Sequence, residues 1–144
     1  MSIIGETTFR VRYSETDQMR VAYHPNYIIW FELGRVAFLR QLGFTYSEME
    51  EDGMHLPLVE VRCRYKHPAR YDEEITVRTR LAQMRTSLLR FRFEVVRKSD
   101  ERILAEGESV HMVVGNDLRP TRLSEKYRPA FEAAAAKVEG AARV

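Results

Sequence analysis

Asp17 and His24 stand in a polar stretch, Ser14-Glu15-Thr16-Asp17-Gln18, and in the loop that follows it into the most apolar segment of the chain. A carboxylate in that position has two uses. Its oxygen can cap a short turn after Thr16, or the group can do chemistry at the mouth of the helix that follows. A loop histidine can likewise orient a reacting group or simply bond to nearby backbone. The residues alone leave both pairs of readings open. Other chemistries are excluded by missing patterns. No G-x-x-x-x-G-K-[ST] or G-x-G-x-x-G occurs, which argues against a phosphate loop or a dinucleotide fold. Gly107-Glu108-Ser109-Val110-His111 only approaches G-x-S-x-G and lies inside a strand rather than at a strand-to-helix turn. His24, His55, His67 and His111 have no paired metal-ligand spacing, and Cys63 is the one cysteine, so neither a zinc site nor an internal disulfide is expected. Cys63 reads as a core residue, His111 as a satisfied core histidine, and the Arg90, Arg92 pair as a solvated face.

The elements that must position Asp17 and His24 follow from periodicity. Thr7 to Tyr13 alternates, with Phe9, Val11 and Tyr13 expected on one face. After the loop Tyr23-His24-Pro25-Asn26 comes a helix with Ile28, Ile29, Trp30, Phe31, Leu33, Val36, Ala37, Phe38, Leu39 and Leu42, stopped by Gly43. Apolar on nearly every side, it reads as buried. At roughly 16 residues it is too short and too charged to span a bilayer. Glu32 and Arg35 are spaced to pair with each other. Tyr46 to Asp52 reads as a short helical turn. Leu56 to Lys66 follows as a strand, with Val59, Val61, Cys63 and Tyr65 on one face and Pro57 marking an edge. Glu74 to Gln83, Leu88 to Val96 and Arg102 to Val114 are further strands, and Gly107 suggests a bend or bulge in the last. A C-terminal helix is expected within about 124–138, starting near Ser124 or, more easily, at Pro129. A strand, a long helix and four more strands predict an α+β domain with an antiparallel sheet.

The whole chain sets bounds. Its 144 residues fit one domain, 1–144, with a core over about 7–123. A chain 44% hydrophobic and 31% charged can bury a core. A net charge of +2 gives no general case for nucleic acid. The N-terminal residues show no basic and apolar leader, so the cytoplasm is the default location.

Several of these residues also carry a resemblance. Tyr13-x-Glu15-Thr16-Asp17, Val21-x-Tyr23-His24-x-Asn26-Tyr27 and Phe31-Glu32-x-x-Arg35 resemble the hotdog-fold acyl-CoA thioesterases of the 4-hydroxybenzoyl-CoA type, a group that includes a bacterial enzyme encoded beside the Tol-Pal genes. The likeness continues through Leu58-Val59-Glu60-Val61, Tyr65-x-x-Pro68-Ala69-Arg70-Tyr71-Asp72, Arg85-Thr86-Ser87, Ala105-x-Gly107 and His111. It implies a five-stranded antiparallel sheet wrapped round a central helix, and an acyl-CoA thioesterase releasing free acid and coenzyme A. Asp17 would be the nucleophile or the general base. Amide N–H groups around Tyr23 and His24 would hold the oxyanion, with His24 orienting the carbonyl or the loop. Arg85, Ser87 and Arg90 would bind coenzyme A, with Arg62, Arg64, Lys66 and Arg70 as a second cationic cluster. No metal and no separate cofactor are implied, since coenzyme A enters as part of the substrate. The edge strand would pair with its two-fold mate, giving a homodimer or homotetramer. The alternative is a non-catalytic acyl-CoA-binding module of the same fold. This chain departs from the pattern at Arg20, where a small residue, mostly glycine, is usual. An arginine there costs backbone freedom if the position needs a positive φ, and its cation is expected to lower the pKa of Asp17.

Overall fold

The computed structural model describes residues 3–139. Its elements run β1 (Ile4–Arg10), α1 (Pro25–Gln41), α2 (Tyr46–Glu51), β2 (Leu58–Tyr65), β3 (Glu74–Met84), β4 (Leu88–Arg97), β5 (Arg102–Met112) and α3 (Arg128–Ala134), with a 3-10 turn at Tyr13–Glu15. The strands form one antiparallel sheet in the order β1-β3-β4-β5-β2, so β1 and β2 are its edges. Alternation sends Ile75, Val77, Thr79 and Leu81 of β3 and Leu89, Phe91, Phe93 and Val95 of β4 to the face that α1 covers, and all eight are buried. Phe31 of α1 stacks on Phe93 with ring centroids 4.6 Å apart. The closest approach of helix to sheet is at Gly34, where an added Cβ would collide with Thr79 Oγ1 and with Val77 Cγ1.

Several expectations are corrected. Pairing of β1 ends at Arg10↔Glu74, short of the expected end at Tyr13. Arg12 N–H then donates to the Glu15 carboxylate instead of to a strand. Tyr13 therefore turns outward, 78% exposed, and stands edge-on to Tyr71. The central helix is not buried all round. Trp30, Phe31, Phe38 and Leu39 are covered, but Ile28, Ile29 and Leu33 are exposed, because the sheet of one chain wraps only one side of the helix. On β2 the expected inner face is half open: Val61 and Cys63 are partly buried against the core, while Val59 and Tyr65 are exposed beside Leu58. Gly107 makes no bulge. It pairs in register with Cys63 and with Phe93, and its lack of a side chain makes room for the Phe31 ring. The C-terminal helix is shorter than 124–138. Ala135 is extended, and Ala136 N–H donates to the Leu81 carbonyl, so the chain leaves the helix to run beside β3.

Candidate active site

The loop that carries the candidate residues is built on Glu15, a carboxylate that is only 5% exposed. Its Oε1 accepts the Arg12 N–H at 2.8 Å, and its Oε2 accepts the Trp30 indole N–H at 2.8 Å. Its own carbonyl accepts the Tyr23 N–H at 2.7 Å and the Asn26 side-chain amide at 2.8 Å. One residue thus ties the end of β1, the loop and the first turn of α1 together. Burial alone would raise the Glu15 pKa. The bonds from Arg12 N–H, Trp30 and the Arg12 guanidinium outweigh it and hold the carboxyl below its ordinary value. The residue pattern gave Glu15 no role, because its partner Trp30 lies a full loop away in sequence.

Asp17 opens a tight turn. Arg20 N–H donates to the Asp17 carbonyl at 2.9 Å, Asp17 N–H donates to the Val21 carbonyl at 3.0 Å, and Arg20 has φ 66°. This is the hairpin arrangement of a turn followed by a left-handed residue, which explains why a glycine is usual there. Asp17 Oδ1 accepts the Met19 N–H at 2.8 Å, so the side chain does cap the turn. Oδ2 has no partner among the described residues. Arg20 is exposed and lines the same cleft as Asp17, and no ion pair joins the two among the described residues. Asp17, Thr16, Arg20 and the exposed rings of Tyr13 and Tyr71 line one open cleft of about 750 Å³.

His24 is the residue that precedes α1, and its ring stands 4.6 Å from that of Tyr23. Its carbonyl accepts the Tyr65 hydroxyl of β2 at 2.9 Å. Of the two amides expected at the helix mouth, that of Tyr23 is already engaged by the Glu15 carbonyl. The His24 amide has no partner among the described residues, and Pro25 has no N–H to offer. The mouth therefore presents one free donor together with the positive end of the α1 dipole.

The expected coenzyme A residues are far from this cleft. Tyr71 just precedes β3 and Arg85 just follows it. The whole length of that strand therefore separates them, roughly 35 Å of extended chain. Arg85 and Arg90 do meet, lining a shallow pocket of about 90 Å³ with Gln83. Both are paired: Arg85 Nε with Glu139 at 2.8 Å, and Arg90 with Glu108 at 3.3 Å. Ser87 is absent from that pocket's lining, and its carbonyl accepts the Val113 N–H. In the second cluster Lys66 pairs with Glu106 and Arg62 lies 3.9 Å from Glu60, while Arg64 and Arg70 have no carboxylate partner among the described residues. Arg70, bridged to Val21, is the cation of that cluster tied to the Asp17 turn. No group of three His, Cys, Asp or Glu that could hold a metal occurs among the described residues.

A second polar cluster was not anticipated as a unit. His111 is 1% exposed, and its Nδ1 lies 3.1 Å from the Leu56 carbonyl. Nε2 lies 2.8 Å from Ser109 Oγ, and Arg35 Nη1 lies 2.7 Å from both ring nitrogens. Burial, with the Arg35 charge beside it, pushes the His111 pKa down to about 4 and keeps the ring neutral. It is the satisfied core histidine expected, but satisfied by a cation.

Residues 11–136 match the Thioesterase-like superfamily, a span that includes Asp17, His24, Arg35, Arg85, Arg90 and His111. A Bacillus subtilis relative, YneP, is 45% identical over 76 residues, 53% of this chain and 55% of YneP, so the match spans about half the length of that relative. The acyl-CoA thioester hydrolase YbgC of Escherichia coli is 28% identical over 99 residues, covering 69% of this chain and 73% of YbgC. The crystal structure of the DHNA-CoA thioesterase of Staphylococcus aureus is similar with a TM-score of 0.82 and 29% identity, over 91% of this chain and 87% of that one. The sheet and its central helix are the hotdog fold.

Proposed function

We propose that this chain, which belongs to the Thioesterase-like superfamily, hydrolyses acyl-CoA thioesters to the free acid and coenzyme A. Within the superfamily we place it with the 4-hydroxybenzoyl-CoA type, on the strength of the Asp17 and His24 motif. The observation that carries the reading is a half-engaged carboxylate lining an open cleft, with an unengaged amide at the start of the helix that follows. Asp17 caps its turn through Oδ1 and keeps Oδ2 open to a cleft, while the His24 N–H stands free at the start of α1. The substrate carbonyl would accept from that amide, where the helix dipole favours the negative oxygen of a tetrahedral intermediate. Asp17 Oδ2 either attacks the carbonyl carbon, expelling the coenzyme A thiolate and leaving a mixed anhydride for water to open, or removes a proton from the water that attacks. The Tyr23 amide serves instead to fix the loop, and its ring flanks His24.

Coenzyme A recognition follows from charge. Arg85, Ser87 and Arg90 remain the proposed contacts for its phosphates, acting on a site of a second copy, because roughly 35 Å of strand separates them from the Asp17 cleft of their own chain. The two arginines must exchange Glu139 and Glu108 for phosphate. Replacing both with alanine is expected to raise KM more than it lowers kcat, and an unchanged KM transfers the role to Arg64 and Arg70. A second copy also answers the open side of the molecule. Ile28, Ile29 and Leu33 of α1 and Leu58, Val59 and Tyr65 of the edge strand β2 are exposed, and apolar surface beside an open edge invites pairing. The proposal is a homodimer joined along β2, or a tetramer of two such dimers, in the cytoplasm. Light scattering at micromolar concentration is expected to give at least a dimer, and a fully active monomer contradicts this.

The experiment for the activity is a panel of aromatic, short-chain and long-chain acyl-CoA substrates with detection of the released thiol. Turnover of at least one class is expected. Tight binding with no turnover of any class favours a non-catalytic acyl-CoA-binding module, in which Asp17 does no more than cap its turn.

A further inference from the structure

α1 and β2 run side by side and are tied at both ends. At the helix mouth the Tyr65 hydroxyl bonds the His24 carbonyl. At the far end the Leu56 carbonyl, just before β2, bonds His111, which in turn meets Arg35 of α1. Between these ties the seam opens into a cavity of about 170 Å³ walled by Ile28, Phe31, Val61 and Phe93, with Arg35, Ser109, His111 and the mostly exposed Glu32 as its polar lining. Ile28 lies one helical turn from His24. Arg35 is about 16 Å from His24 along the helix, at the ordinary rise per residue, and its side chain leans back toward the mouth.

The polar end is not balanced. The Arg35 side chain is 12% exposed, and its nearest carboxylate, that of Glu32, is mostly exposed and 3.9 Å away. His111 offers no negative charge, and the ring of Tyr46 lies under the guanidinium at 4.9 Å. Arg35 Nε is buried with no hydrogen-bond partner among the described residues. A largely buried cation with no close carboxylate calls for an anionic acceptor, and Arg35 lines the cavity in which one would arrive.

Resting on the thioesterase reading above, we propose that this seam is the acyl channel, and that Arg35 makes the enzyme selective for acyl groups carrying an anionic oxygen at the end remote from the thioester. The apolar walls take the methylene or aromatic body, and the guanidinium takes the terminal carboxylate. Arg35 is then a specificity-determining residue, and Ser109 and His111 hold it in place.

The test compares ω-carboxyacyl thioesters of coenzyme A (adipoyl, suberoyl and sebacoyl) with their unsubstituted counterparts (hexanoyl, octanoyl and decanoyl). At the length that reaches Arg35, the wild type is expected to favour the carboxylated member in kcat/KM by roughly tenfold to a hundredfold, the size of one charge-assisted hydrogen bond. Arg35→Met is expected to bring that ratio to about one or below, and Arg35→Lys to recover part of it. No preference at any length, or a preference that survives in Arg35→Met, overturns the proposal. If Arg35→Met does not fold, as judged by circular dichroism, Arg35→Lys decides: a ratio unchanged from wild type overturns the proposal, and a lowered one supports it. If the wild type hydrolyses none of the six, the wider acyl-CoA panel above decides the thioesterase reading separately. The channel is then judged by calorimetry with non-hydrolysable thioether analogues, where tighter binding of the suberoyl than of the octanoyl analogue supports it and equal binding overturns it.

Discussion

Glu15, rather than Asp17, is the side chain on which the geometry of the loop depends. A glutamine there would turn one acceptor into a donor and set an NH₂ against either the Arg12 N–H or the Trp30 indole N–H. Leaving one buried donor unpaired is expected to cost about 1–3 kcal/mol. The Glu15→Gln variant should therefore show a lower urea midpoint at neutral pH, and an unchanged midpoint would show that the carboxylate does not pin the loop. Arg20 illustrates a cost in the other direction. A non-glycine residue in the left-handed region gives up roughly 1–2 kcal/mol, of which glycine's greater freedom in the unfolded chain returns about 0.5–1 kcal/mol. Arg20→Gly is expected to raise the thermal midpoint modestly, and a fall would mean that the arginine makes a compensating contact. The glycine usual at that position raised the condition of a positive φ, and only the structure shows that Arg20 meets it. The role of Glu15 was not, because burial of a carboxylate depends on an indole delivered by another element.

At the scale of elements, alternation made β3 and β4 readable, and the inward residues are those expected: Ile75, Leu81, Leu89 and Phe93 are all buried. The two edges were read less well. β1 stops early because a side-chain carboxylate competes for the Arg12 N–H, and β2 keeps an alternating pattern but leaves Val59 and Tyr65 exposed while Val61 and Cys63 are only partly covered. Likewise, an all-round apolar helix means burial only where all of its sides have partners. The seat of α1 on the sheet is set by Gly34. Gly34→Ala would force helix and sheet apart at Thr79 and Val77. Overpacking of this kind is expected to cost about 1–3 kcal/mol. Chemical unfolding measures this directly, and an unchanged stability would mean that the helix can shift at no cost.

For the molecule as a whole, His111 sets a limit at low pH. Its folded pKa, about 4, lies below the ordinary histidine value of 6.5. As pH falls, the unfolded chain therefore takes up the proton first. The stability that the neutral ring contributes is complete above about pH 6.5 and is lost progressively toward about pH 4, up to about 3 kcal/mol. Wild-type urea midpoints should fall across that window more steeply than those of His111→Gln, which cannot titrate; parallel curves would show that His111 is not the group responsible.

The central claim concerns Asp17, and the turn it caps makes a clean test possible. Asp17→Asn retains an oxygen for the Met19 N–H. Stability should therefore change by much less than the roughly 1 kcal/mol of a lost cap. What the substitution removes is the charge needed to attack the thioester or to take a proton from water. The measurement is paired: thiol release from the best substrate of the panel, and calorimetric affinity for its thioether analogue. The account predicts a fall in turnover of at least about 10²-fold with affinity retained within a few-fold. An Asp17→Asn protein that hydrolyses the thioester at the wild-type rate would contradict it.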